Sequence, residues 1–168
     1  MNGPPATRWS KAPISTRPTC ARWSPNTGGP WPTHGLDIDA LRQPAIRVRC
    51  ALIDGKLAGI AALVDLGAGH AELKSMRTAA GHGRRGVASR LLDRLLAEAR
   101  TAGFDRVSLE TGTEPYYAAA RAFYRRHGFA ECTPFAAYQL DPASVFLTRS
   151  LHDDTAPNEC IHQPPAAE

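Results

Sequence analysis

The spacing of apolar positions along the chain changes twice and divides it into strands and helices. Ala45 to Ile53 and Leu57 to Asp65 are dense in Val, Ile, Leu and Ala on either side of Asp54-Gly55-Lys56. Asp-Gly between two apolar runs predicts a hairpin, because such a turn needs residues that accept positive φ. A second turn at Gly67-Ala68-Gly69 leads into a strand over Ala71 to Thr78, which completes an antiparallel meander. From Val87 the period lengthens. Val87, Leu91, Leu92, Leu95, Leu96 and Ala99 fall on one face of a helix, with Arg90, Asp93, Arg94, Glu98 and Arg100 opposite. Gly103 suits the position just past that helix, and Arg106 to Glu110 reads as the next strand. Thr113 predicts the cap of a second helix, with Pro115 in its first turn and Gly128 closing it after Tyr124. Phe129 to Cys132 and Ser144 to Leu151 are the last strands, so the chain is of mixed α/β (α+β) class.

The first 33 residues read differently. They hold seven of the fourteen prolines and all three tryptophans, and no acidic residue precedes Asp37. With no helical or strand period, residues 1–33 are expected to be disordered or loosely packed. Residues 34–151 form one domain, and residues 152–168 a flexible tail.

At 168 residues and 43% apolar composition the chain carries one core of real size. No run approaches the roughly 20 apolar residues of a membrane span, and no leader pattern opens the chain, so a soluble cytoplasmic protein is expected. Cys20, Cys50, Cys132 and Cys160 form no CxxC pair, which predicts reduced thiols and no metal. A net charge of +4 is compatible with nucleic acid, an anionic surface or a phosphorylated cofactor and does not choose among them.

The residues Gly81-His82-Gly83-Arg84-Arg85-Gly86 satisfy G-x-G-x-x-G between a strand and a helix. A dinucleotide fold nevertheless needs a first strand buried on both faces, whereas Glu72-Leu73-Lys74-Ser75-Met76-Arg77 alternates. What survives is physical. A glycine-rich turn entering a helix presents unpaired N–H groups and the positive end of the helix dipole, which suits a pyrophosphate, with Arg84 and Arg85 beside it.

On Gly83-Arg84-Arg85-Gly86-Val87-Ala88 the chain resembles the GNAT family of N-acetyltransferases, whose cofactor motif is Arg/Gln-x-x-Gly-x-Gly/Ala. Gly86 and Ala88 match and Gly83 departs. The resemblance continues upstream through Met76, Arg77 and Thr78, which match the bulged strand offering backbone groups to the pantetheine arm. Downstream, Ala120 to Phe129 resembles Ala-x-x-Leu-Tyr-x-x-x-Gly-Phe, while Tyr117 stands where Asn is usual. It implies a mixed, mostly antiparallel central sheet flanked by helices, acetyl-CoA as cosubstrate, and contacts to it from Met76, Arg77, Thr78, Gly83, Arg84, Arg85, Gly86, Val87, Ala88, Ser89 and Tyr117. It spans about Leu36 to Leu151. The opening 33 residues lack the family's first strand and helices, which points to a divergent, truncated or frame-shifted start.

The implied reaction moves an acetyl group to an amine of a small molecule or peptide. Tyr124 is placed by the motif beside the leaving thiolate. Glu72 and Glu110 are both available as the base, ahead of His127 and His82, and residues 128–150, with Phe135, Tyr138, Asp141 and Ser144, are expected to line the acceptor pocket. Two other readings stand beside this one: a CoA-binding protein without catalysis, and a nucleotide- or RNA-binding module built on Arg84, Arg85, Arg90, Arg94, Arg121, Arg125 and Arg126, which lacks the aromatic pattern of RNA binders. A homodimer is left open as an assembly.

Overall fold

The computed structural model describes residues 7–9, 45–54 and 56–152. Seven strands, β1 (Thr7–Trp9), β2 (Ile46–Ile53), β3 (Lys56–Gly67), β4 (His70–Thr78), β5 (Arg106–Gly112), β6 (Ala130–Glu131) and β7 (Ser144–Ser150), form one sheet in the order β1-β2-β3-β4-β5-β7-β6. All neighbours are antiparallel except β4 and β5. Helix α1 (Val87–Thr101) makes the crossover between that parallel pair, and a 3-10 turn (Pro115–Tyr117) runs into helix α2 (Ala118–Arg126). The expected mostly antiparallel sheet flanked by helices is what the chain forms.

The meander follows its turn residues. Asp54 turns at φ 50°, and Gly67, Ala68 and Gly69 all take positive φ between β3 and β4. Helix α1 buries the six residues that its period singles out. Four of them are leucines no more than 2% exposed, and each contributes about 1.5–3 kcal/mol on burial. They pack on Ala51, Ala61, Leu63, Leu73, Val107 and Leu109 of the sheet, with Tyr124 of α2 and Phe129 in the same core. The helix ends in a Schellman motif: Gly103 takes φ 80°, its N–H donates to Arg100, and Phe104 N–H donates to the Ala99 carbonyl.

Several expectations are corrected. Thr113 caps no helix: its N–H and hydroxyl are drawn to the carbonyls of Ala143 and Pro142, which prolongs the β5 side of the sheet, and Glu114 precedes the 3-10 turn instead. The strand expected over Phe129 to Cys132 is reduced to Ala130–Glu131 plus one further bond from Cys132 N–H to Phe146, since Pro134 has no N–H with which to extend the ladder. Cys50 is disulfide-bonded, against the expectation of reduced thiols. Within the segment expected to lack structure, Thr7–Trp9 pairs with β2; the rest of that segment, and the tail beyond His152, lie outside the described residues. Among the described residues no helix is long and apolar enough to cross a membrane.

Candidate active site

Strands β4 and β5 pair only at His70 with Arg106, Ala71 with Val107 and Glu72 with Ser108. Beyond Glu72 the two strands part, which leaves the β5-facing edge of β4 without a strand partner. Within that parted stretch β4 carries one extra residue. Ile60 pairs with Arg77 but Ala62 with Lys74, so three residues of β4 span two of β3, and Ser75 takes φ 52°. Because side chains alternate between faces, the extra residue resets the parity. Met76 turns to the core and packs against it, while Arg77 shares a face with Lys74, Glu72 and His70.

The turn after β4 enters α1 with positive φ at Gly81, Arg84 and Gly86. Gly86, at φ 75°, is the cap residue, and no side chain bonds the first turn, which holds no acidic group. The first helical bond runs from Arg90 N–H to the Gly86 carbonyl, so the N–H groups of Val87, Ala88 and Ser89 point out of the helix end. Arg84 and Arg85 are exposed beside them. The turn is anchored through Val87, which packs over Gly59 of β3, where an added Cβ would lie 2.8 Å from Val87 Cγ1 and 2.9 Å from the Arg77 carbonyl.

Tyr124 is buried, with its ring between Phe123 at 5.4 Å and Phe129 at 5.7 Å. Burial pushes the phenol well above its usual range, and no described residue takes a hydrogen bond from its hydroxyl. A buried tyrosine normally has such a partner, so this one keeps its donor available.

The two candidate carboxylates have different surroundings. Glu72 is 3% exposed; it accepts the Tyr138 hydroxyl at 2.7 Å and pairs with Lys74 at 3.1 Å, and the Lys74 ammonium also donates to the Tyr138 oxygen at 2.7 Å. Burial, then the bond to Glu72, pushes the Tyr138 phenol far up, so it stays a donor. Glu110 is half-buried at the end of β5, with one carboxylate oxygen accepting from Ser144 Oγ at 2.7 Å. Tyr117 lies near both ends of the parted strands: its phenol is raised chiefly by burial, with Arg77 and Glu110 close enough to act on it.

The loop after β6 brings Phe135 and Tyr138 over this polar face. Phe135 stacks near His70 at 5.4 Å, and both rings lie near Phe146 of β7. Deeper in, His70 Nε2 lies 2.8 Å from Ser108 Oγ, which donates to Thr148 at 2.8 Å. Burial, and then Arg106, lower the His70 pKa to about 4. Sequence reasoning missed Lys74, His70 and Gly112, although His70, Glu72 and Lys74 recur at every second position, which marks one polar strand face. Of the other candidates, Asp141 bonds the Ala143 N–H within the loop, and His127 Nδ1 pairs with the Phe123 carbonyl. His82 Nδ1 is buried with no hydrogen-bond partner among the described residues.

The basic residues are partly engaged inside the fold. Arg94 pairs with Glu98 at 2.6 Å, Arg125 pairs with Glu131, and Arg121 donates to the Gly112 and Glu114 carbonyls. An open groove of about 580 Å³ between β2 and the end of α1 is lined by Arg47, Arg49, Arg94 and Glu98, with Arg49 and Glu98 paired at 2.7 Å.

The profile of the acetyltransferase (GNAT) family matches residues 17–129, beginning inside the segment whose pattern stands apart. The chain is similar to the uncharacterized N-acetyltransferase YedL of Escherichia coli, with 47% identity over 73% of this chain and 77% of that one. It is also similar to the IAA acetyltransferase of Azospirillum brasilense, at 39% identity over 70% and 76%. Among solved structures, the ribosomal-protein-S18-alanine N-acetyltransferase of Escherichia coli shares the fold with a TM-score of 0.67, at 19% identity, over 87% of this chain and 94% of that one.

Proposed function

Because the chain belongs to the acetyltransferase (GNAT) family and is a GNAT-type N-acetyltransferase, we propose that it carries an acetyl group from acetyl-CoA to the amine of a small molecule or peptide at the parted ends of β4 and β5. The observation that carries this reading is the combination there of a bulged β4 edge without a strand partner, an uncapped helix end on one side, and on the other a tyrosine hydroxyl with no hydrogen-bond partner among the described residues.

Acetyl-CoA supplies a thioester whose carbonyl carbon accepts the amine and whose sulfur leaves. The N–H groups of the Gly83 to Ser89 turn, with Arg84 and Arg85, suit its pyrophosphate. Gly83 contributes through its main chain there, so its departure from Arg or Gln leaves the backbone cradle intact. The edge of β4 from Met76 to Thr78 offers main-chain groups to the pantetheine arm, and an N–H near Met76 polarises the thioester oxygen. Glu110 receives the proton that the amine loses as the C–N bond forms and the C–S bond breaks. Glu72, already matched by Lys74 and Tyr138, holds the pocket wall and does not take that proton. Tyr124 donates a hydrogen bond to the departing thiolate. Even unperturbed, a phenol near pKa 10 giving its proton to a thiolate near 8.5 is uphill by about 2 kcal/mol, and burial widens that gap, so Tyr124 stabilises the thiolate and solvent finally protonates it.

The test is acetyl-CoA-dependent thiol release across amino acids, polyamines, aminoglycosides, arylalkylamines and peptides. Release with at least one amine is expected. Thermal stabilisation by acetyl-CoA with no release from any of them would instead identify a CoA-binding protein without catalysis.

A further inference from the structure

The end of β5 holds an arrangement that acetyl transfer in general does not require. Glu110 and Phe146 stand opposite each other across β5 and β7, and the Tyr138 ring lies 5.5 Å from Phe146. Two residues further along β5, on the same face, Gly112 has no side chain. A Cβ there would lie 2.4 Å from Cδ2 of Tyr117 and 2.6 Å from its Cε2, so the Tyr117 ring occupies the place of a side chain on the β5 backbone. Glu110 therefore stands between two tyrosine rings, and its charge acts on both phenols. Ser144, which faces Gly112 across the strands, fixes the carboxylate through its 2.7 Å hydrogen bond. Tyr116 meets Tyr117 edge-on at 5.0 Å and is 70% exposed, which extends the aromatic wall outward.

We propose that this carboxylate between two tyrosine rings is the acceptor subsite, and that it selects a primary amine carried on a flat aromatic body, an arylalkylamine, over an aliphatic amine of similar length. The carboxylate attracts the ammonium before taking its proton. The Tyr117 ring attracts the same cation, and together with Tyr138, whose own ring already has the Lys74 ammonium 5.2 Å from its centroid, it gives a planar apolar body an edge or face to pack against. Tyr117 thereby becomes a specificity-determining residue on the acceptor side. The inference rests on the transferase reading above.

Calorimetry on the full chain with CoA present compares phenethylamine with hexylamine, and thiol release is measured in parallel. Phenethylamine is expected to bind at least about tenfold tighter. Tyr117→Leu should bring that ratio below about threefold, while Tyr117→Phe, which keeps the ring, should preserve it. Equal affinities in the unmodified protein, or an unchanged ratio in Tyr117→Leu, overturn the inference. The two readings fail separately. The expected binding ratio with no thiol release from any amine refutes transfer alone, whereas thiol release at equal kcat/KM for both amines refutes only the aromatic preference.

Discussion

Replacing Tyr124 by Phe removes one oxygen from a buried ring and leaves its packing in place. The ring contacts with Phe123 and Phe129 persist, and no hydrogen bond to a described residue is lost. Folding stability should therefore be nearly unchanged, because no hydrogen bond to a described residue is given up and the hydroxyl is not among the sealed, unsatisfied polar atoms of the described residues. Turnover behaves differently. A hydrogen bond to a charged group contributes about 1.5–3 kcal/mol, which here appears only as the thiolate forms and corresponds to a loss of about 10- to 150-fold in kcat. The acetyl-CoA affinity should stay within about twofold, since the proposed role puts the phenol at the sulfur and not at the pyrophosphate. Burial raises the phenol pKa, so the donor remains protonated through alkaline pH and the variant should keep the alkaline limb of the kcat profile. The assay is steady-state thiol release, with a urea melt as the folding control. A Tyr124→Phe enzyme that turns over within about twofold of the original removes this residue from the mechanism.

Three further outcomes follow from the same geometry. His70 is held neutral with a pKa of about 4 against 6.5 unfolded, so its contribution is complete above pH 6.5 and is lost as pH falls toward 4. The protein should lose about 2 kcal/mol between pH 7.5 and 5 from this group alone, and His70→Gln should remove that part of the slope in urea midpoints. Gly59→Ala drives a methyl group into Val87, Leu91 and the Arg77 carbonyl. It should cost about 1–3 kcal/mol and weaken acetyl-CoA binding in calorimetry as the first turn of α1 lifts; an unchanged affinity would show that the turn is not anchored there. Glu110→Gln should lower kcat/KM at neutral pH by at least about tenfold and flatten the acid limb, and a surviving acid limb would assign the base elsewhere.

Much of this fold was legible in the chain because its signals are local. Turn residues with positive φ, a strand period of two and the 3.6 period of α1 all act within a few residues, and the six helical positions singled out by spacing are the six that are buried. The turn from Gly81 to Gly86 and the run ending at Phe129 were readable for the same reason. Where the reading missed, a distant partner had intervened: Thr113 would cap a helix in isolation but is held by Pro142 and Ala143, and β6 is cut short by Pro134.

The chemistry of the cleft was decided by tertiary structure. Glu72 and Glu110 are equivalent as strand-end carboxylates in sequence, and they separate only when Tyr138, 66 residues away, closes over one of them with Lys74 while Ser144 meets the other. The extra residue at Ser75 turns Met76 inward and Arg77 outward, and the parting of β4 from β5 opens the edge between them. Tyr117 reads as a missing Asn in the chain and becomes an aromatic wall because Gly112 leaves room for its ring. Sequence determined which elements form and which residues could do chemistry. Long-range packing determined which carboxylate is sealed, which is reachable and what stands beside it, because burial and charge pairing depend on neighbours that the local pattern does not specify.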